Sequence, residues 1–449
     1  MSLFRERFAL ILFIVGSALG YLWFVGDIQR HEHLSLIGCS LLLMGLYATR
    51  PQLKLWQIGI IGLFFRGLFV SYTPELSQDF YRFFWDGHLQ SLGFSPYAKT
   101  PDQWISEGLK FPGIEVLYQG MGSLSAEHFS NYPPLSQYLF RLAVSIQHSL
   151  TGQILFFRLL LVGADLAIFW GGIQVLRNLR ISPETMGWYF LNPLIIIEGV
   201  GNLHFEGVMW AFFVWGLYSS IRYRGIVWCG LAFGASIATK LLPLLVLPLY
   251  WQRLGWKKSM GMGMIIGLLC LLLSLPFWVE AGGSHYWETL QLWFNRFEFN
   301  GSIYRLVRWV GFQIKGYNII RQLGQVSPWI LMGCIGIFTF LKNNRSPKAL
   351  LNHMLWVLTF YLCTATTIHP WYLSSLVLMS VFTGYLFPLL WSATVFFSYT
   401  AYGIDGFQES GWILAMEYIP VYGLLVYEIF RGPVRDQIMW RRSTSLVVR

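Results

Sequence analysis

A helix that crosses a bilayer needs about 20 mostly apolar residues, because the hydrocarbon offers no water to satisfy its backbone. This sequence supplies such runs repeatedly. Candidates lie at 7–26, 34–49, 56–73, 153–176, 186–202, 205–222, 225–239, 241–251, 260–279, 328–341, 350–367, 371–387, 388–404 and 411–430. The stretch 134–150 is apolar too, but it opens on two prolines and carries Arg141, so it is read as not fully crossing. The pair 225–239 and 241–251 is short and joined at Lys240, which reads as a broken hairpin. The expected fold class is an all-α polytopic membrane protein with about 12–14 transmembrane helices, forming a single domain over residues 1–449.

Composition agrees. Hydrophobic residues make up 55% of the chain and charged residues 12%, against roughly 25% charged in a soluble domain. The net charge of +10 is not a nucleic-acid signature. Its Lys and Arg fall in short inter-helix segments at 50–54, 177–180, 221–225, 251–259 and 341–348, and in the tail at 431–442. That is the pattern of cytoplasmic loops under the positive-inside rule. The five cysteines lie in or beside apolar runs without metal-like spacing and read as small apolar residues. The first apolar segment follows Arg5 and Arg7 without a small-residue cleavage site, as an uncleaved first helix would.

With the N-terminus inside, every basic segment lands in the cytoplasm. The other face then collects 74–133, the corner 202–206, Lys240, the segment 280–327 and the turn 367–370. The two long outer segments exceed ordinary connections. Their stretches DQWISEGL and YWETLQLWFNRFEF have aromatic faces suited to helices lying in the interface plane.

Chemistry is expected on that face. Residues 77–97 read SQDFYRFFWDGHLQSLGFSPY, placing Asp79, Tyr81, Arg82 and Asp86 among aromatics directly after an apolar run. Ionisable groups at a membrane border are costly. On a helix Asp79, Arg82 and Asp86 share one face, either as a solvated ion-paired stripe or as a site. The corner GNLHFEG offers His204 and Glu206, a hydrogen-bonded helix end or an acid/base pair, and two ligands are too few to specify a metal. Lys240 stands at a broken helix, where it either snorkels or holds an anion such as phosphate. Arg296 and Arg305 are basic residues on the face the positive-inside bias disfavours, which points to anion binding. His369 precedes Pro370 on the same face.

These motifs, in this order, resemble integral-membrane glycosyltransferases of the GT-C fold, and among them the bacterial polyprenyl-phosphomannose-dependent mannosyltransferases. The likeness runs over about residues 55–375. It rests on Asp79 to Gly87, Gly93-x-Ser95-Pro96-Tyr97, Tyr132-Pro133-Pro134-Leu135, Asn202-x-His204-Phe205-Glu206, Lys240-Leu241-Leu242-Pro243, Phe299-Asn300-x-Ser302-x-Tyr304 and His369-Pro370-Trp371-Tyr372. The resemblance implies transfer of a hexose, mannose by likeness, from a polyprenyl-phosphate donor to a lipid or glycan acceptor, with inversion. It implies Asp79 as the base. Asp86, Arg82, Tyr81, His204 and Glu206 are then acceptor-binding or supporting groups, and Lys240, Arg296, Arg305 and His369 face the donor phosphate. The family's loop often shows Asp-x-Asp. Here Ser77 holds the first position, so no carboxylate-held metal and no cofactor is expected, and the partners are donor, acceptor and membrane lipid, not nucleic acid. The expected location is a bacterial inner membrane with the site facing out. A transporter or flippase of a lipid-linked sugar is the alternative. It calls for paired broken helices and ionisable groups at mid-membrane, whereas here the ionisable residues gather at one end.

Overall fold

The apolar runs become helices, and the way they end decides where the chemistry falls. The computed structural model describes residues 2–223, 225–278, 282–295, 297–403 and 406–434. Among them the chain is largely helical. Its one sheet is a two-stranded hairpin pairing Tyr402–Gly403 with Gly406–Phe407. Five helices are long and apolar enough to cross a membrane: Arg5–Asp27, Leu150–Leu179, Trp256–Phe277, Ile320–Leu341 and Gly411–Arg431. Shorter apolar helices cover His33–Thr49, Leu55–Gly67, Ile226–Thr239 and Pro370–Thr383.

Several expected spans differ in form. The run 186–202 is not one helix. Pro193 interrupts it, leaving a four-residue helix at Gly187–Phe190 and a π-helical turn at Ile195–Gly201. The run 241–251 is mostly two 3₁₀ turns, Leu242–Leu245 and Leu247–Tyr250, each with a proline as its second residue, so the chain after Lys240 does not span as a helix. The runs 371–387 and 388–404 break into Ser374–Thr383, Phe387–Thr394 and a 3₁₀ stretch Val395–Ala401. In contrast, the span expected at 328–341 starts earlier, at Ile320, and continues through Pro328. Pro134–Ile146 has 13 residues and rises about 20 Å, short of a roughly 30 Å hydrocarbon core.

Buried charges fasten the bundle. Arg66 donates to Asp165 at 2.8 Å and to the Phe190 carbonyl at 2.7 Å. Arg158, on the long helix Leu150–Leu179, donates to the carbonyls of Val70, Tyr72, Val200 and Gly201 at 2.7–3.2 Å. A guanidinium with no carboxylate partner is tolerable there because four carbonyl dipoles surround it. Its effect is to pin the chain just before Asp79 to the corner just before His204.

Parts of the segments expected on one face meet: His204 lies beside Asp79, and Phe299 pairs with Thr367. The first long segment folds back as helices Asp79–Ser91, Pro101–Ser106 and Ile114–Ala126. Thr100 and Gln103 form a reciprocal cap that starts the second of these, with Pro101 in its first turn. The later segment contributes Gly282–Asn295 and Ile303–Lys315. Gln252 and Arg253, from the basic segment 251–259, hydrogen-bond to carbonyls of Thr339 and Phe340 at the end of the neighbouring helix and of Arg345 in the basic segment 341–348.

Candidate active site

The helix Asp79–Ser91 is clamped from two sides. Phe83 stacks on Phe140 with ring centres 4.7 Å apart. Gly87 lets the backbones touch, since a Cβ there would lie 2.5 Å from the Phe140 carbonyl oxygen. On the opposite side the Tyr81 ring packs over Gly120, where an added Cβ would meet it at 2.6 Å. Tyr81 therefore faces the helix Ile114–Ala126 and is not part of the cavity wall described below.

A cavity of about 360 Å³ opens at the N-terminus of this helix. Asp79, Arg82, Ser130, Tyr132, Trp371, His369 and Phe299 are among the residues that line it. Asp79 opens onto it, with 40% of its side chain accessible. Desolvation pushes its carboxyl up to about 6, opposed by the Lys240 and Arg30 cations and reinforced by Glu206. His204 Nδ1 stands 3.9 Å from Asp79, and its Nε2 is 3.6 Å from Glu198.

The His204 corner is built under strain. Leu203 takes φ +62°, a left-handed conformation that bulky residues seldom adopt, and is fully buried. Asn202 holds the turn in place. Its Oδ1 accepts from the Leu76 N–H at 3.3 Å, tying the corner to the residues that lead into Asp79. The His204 ring stacks on Trp371 with centres 3.6 Å apart. Trp371 stacks on His369 at 4.4 Å, and His369 on Phe299 at 4.9 Å. Backbone hydrogen bonds from Phe299 to Thr366 and from Ile368 to Phe299 carry the second outer segment onto this stack. Burial lowers the pKa of both histidines, His204 well below its ordinary value and His369 to about 3. Both rings are neutral near pH 7.

Asp86, two turns along, is different. It is fully buried and accepts from Arg82 at 2.8 Å, Ser130 at 2.5 Å and Gln137 at 2.8 Å. Arg82 also donates to the carbonyls of Ser125 and His128. This network knits the helix to the loop before Pro134 and is a supporting structure.

Of the residues expected to face an anion, the structure brings only part together. Glu206 and Lys240 form an ion pair beside the cavity. Arg305 is held by Glu409 at 2.7 Å and does not line the cavity. Arg296 lies outside the described residues. Three participants went unseen in the sequence. Arg30, in the turn between the first two helices, lines the cavity. Glu198 sits behind His204 and accepts from the Tyr399 hydroxyl at 2.7 Å. Tyr402 carries the Arg30 guanidinium over its ring. The available signals were a charge inside the apolar run IIIEGVG and an outer basic residue at 30. Among the described residues no three His, Cys, Asp or Glu side chains gather to hold a metal ion.

Comparison with known proteins finds a partial family match. Residues 35–254, just under half the chain, match the family model described as "Alpha-(1->6)-mannopyranosyltransferase, N-terminal domain". The chain resembles the mannosyltransferases. Alpha-(1->6)-mannopyranosyltransferase B of Corynebacterium glutamicum is 24% identical over 161 residues, which are 35% of this chain. The chain covers only 26% of that relative's length. No solved structure matches. Asp79, Asp86, His204, Glu206 and Lys240 all fall within the matched stretch, and Arg30, Arg305 and His369 fall outside it.

Proposed function

We propose that this chain is a multi-pass membrane mannosyltransferase. It takes mannose from a polyprenyl-phosphate donor and passes it to a lipid or glycan hydroxyl at the outer face of the membrane, with inversion. The resemblance to the mannosyltransferases supports the mannosyl part. The observation that carries the mechanism is Asp79, a carboxylate raised to about 6, open to a cavity and backed by His204.

An inverting transfer needs a base at the acceptor hydroxyl while the anomeric C–O bond to the phosphate breaks. A base with a pKa near the working pH is effective, and such assistance is worth about 10²–10⁴-fold. Asp79 takes the acceptor proton. The neutral His204 stands 3.9 Å from its carboxylate as a polar neighbour, and the stack on Trp371 holds the imidazole in place. The departing phosphate dianion needs cationic help. Lys240, already offset by Glu206, supplies field near Asp79 more than a free charge. His369 meets the phosphate as a neutral N–H donor.

The test is transfer of labelled mannose from polyprenyl-phosphomannose by the purified full chain in lipid. Transfer with inverted anomeric configuration is the expected result. Absence of transfer from any polyprenyl-phosphate hexose, with translocation of the lipid instead, would overturn the reading.

A further inference from the structure

The cavity that holds Asp79 needs a cation for the leaving phosphate, and the cations expected in that role are engaged elsewhere. Lys240 pairs with Glu206 and Arg305 with Glu409, and the neighbouring Arg308 pairs with Glu298. Arg82 lines the cavity, but Asp86 neutralises it. His128 and His369 also line it, and burial keeps His369 neutral. Among the described residues Arg30 is the cavity cation with no carboxylate in ion-pair reach.

Arg30 is also pre-positioned. Its guanidinium carbon lies 3.1 Å from the Tyr402 ring centre, and its buried Nε has no hydrogen-bond partner. Tyr402 is itself fixed to the turn that carries Arg30, because His33 Nε2 lies 2.9 Å from the Tyr402 carbonyl. A guanidinium stacked on an aromatic face, with its Nε–H unspent, can grip a phosphate with two parallel hydrogen bonds. Phe297, Phe299, Trp371 and Tyr399 line the same cavity beside its polar residues, which suits an anion arriving on an apolar carrier. Asp79 lines the same cavity. The residue belongs to the hairpin preceding position 35, so the family match does not include it.

We propose that Arg30 is the phosphate anchor of this cavity and binds the head of an isoprenoid phosphate. The inference rests on the lipid-linked donor of the proposed function and adds the residue that recognises it. Farnesyl phosphate, titrated into the detergent-purified full chain and read by thermal shift, tests it without requiring turnover. Wild type is expected to be stabilised by farnesyl phosphate and not by farnesol, with a weaker response to inorganic phosphate. Arg30→Gln is expected to weaken farnesyl phosphate binding by about tenfold or more, because a charge-assisted bidentate contact is lost. Arg30→Lys keeps the charge without the fork and is expected to lose a smaller part, about threefold or more. In the transfer assay the same variants are expected to raise the donor KM. If Arg30→Gln fails to fold, Arg30→Lys decides. Farnesyl phosphate affinity equal to wild type in the folded variants would overturn the inference. So would equal Arg30-dependent stabilisation by phosphatidylglycerol, which assigns the residue to bilayer headgroups. Arg30-dependent farnesyl phosphate binding in a chain that transfers no sugar would leave this inference standing and remove the proposed activity.

Discussion

Asp79 and Asp86 are the same residue type, seven positions apart on one helix, and the fold gives them opposite tasks. Asp79 faces a cavity, has among the described residues no hydrogen-bond donor on its carboxylate oxygens, and is raised to about 6. Asp86 is sealed and has three side-chain donors. An unsatisfied carboxylate in a cavity is available for proton transfer. A saturated one beside an arginine is a rivet. The difference arises from neighbours distant in sequence: His204 and the ring stack on one side, Ser130 and Gln137 on the other.

The largest expected effect falls on Asp79. Asp79→Asn removes the base and should lower mannosyl transfer by about 10²–10⁴-fold, with the thermal unfolding midpoint close to wild type. Asp86→Ala should do the reverse, leaving Arg82 buried without its partner. A loss of about 3–5 kcal/mol in stability is expected, measurable as a lowered unfolding midpoint in detergent. Gly87→Ala drives a methyl group into the Phe140 carbonyl and should cost about 1–3 kcal/mol by the same measurement. The pH profile gives a finer test. Protonation of Asp79 removes the base, so transfer should fall by about tenfold per unit as pH drops below about 6. Lys240 lowers the Asp79 pKa, so Lys240→Met should move that acidic limb to higher pH. An unmoved limb would detach Asp79 from it.

Much of this was legible in the sequence because apolarity and charge scarcity are strong signals in a membrane chain. The long helices followed from apolar runs. The helix bearing Asp79 stood out because carboxylates are bracketed by Phe83, Phe84 and Trp85 in a chain with few charges. What escaped was pairing across sequence distance. Nothing near Arg305 says that Glu409 will neutralise it, so an exposed basic cluster looked available. Glu198 was hidden because the run around it matched a spanning helix, while Pro193 breaks that helix and the π-turn aims the carboxylate at His204. Arg30 was overlooked because a short turn between two helices looks like a plain connection. Only the fold brings that turn to Tyr402.

The division of labour between the two carboxylates is tested most directly by assaying Asp79→Asn and Asp86→Asn in one preparation. The quantity to measure is mannose transferred from polyprenyl-phosphomannose per folded molecule, with folding scored independently by thermal unfolding. The expected result is a folded Asp79→Asn chain with almost no transfer, and an Asp86→Asn chain that is less stable but near wild-type rate per folded molecule. Full transfer by folded Asp79→Asn, or an inactive yet fully stable Asp86→Asn, would contradict the account.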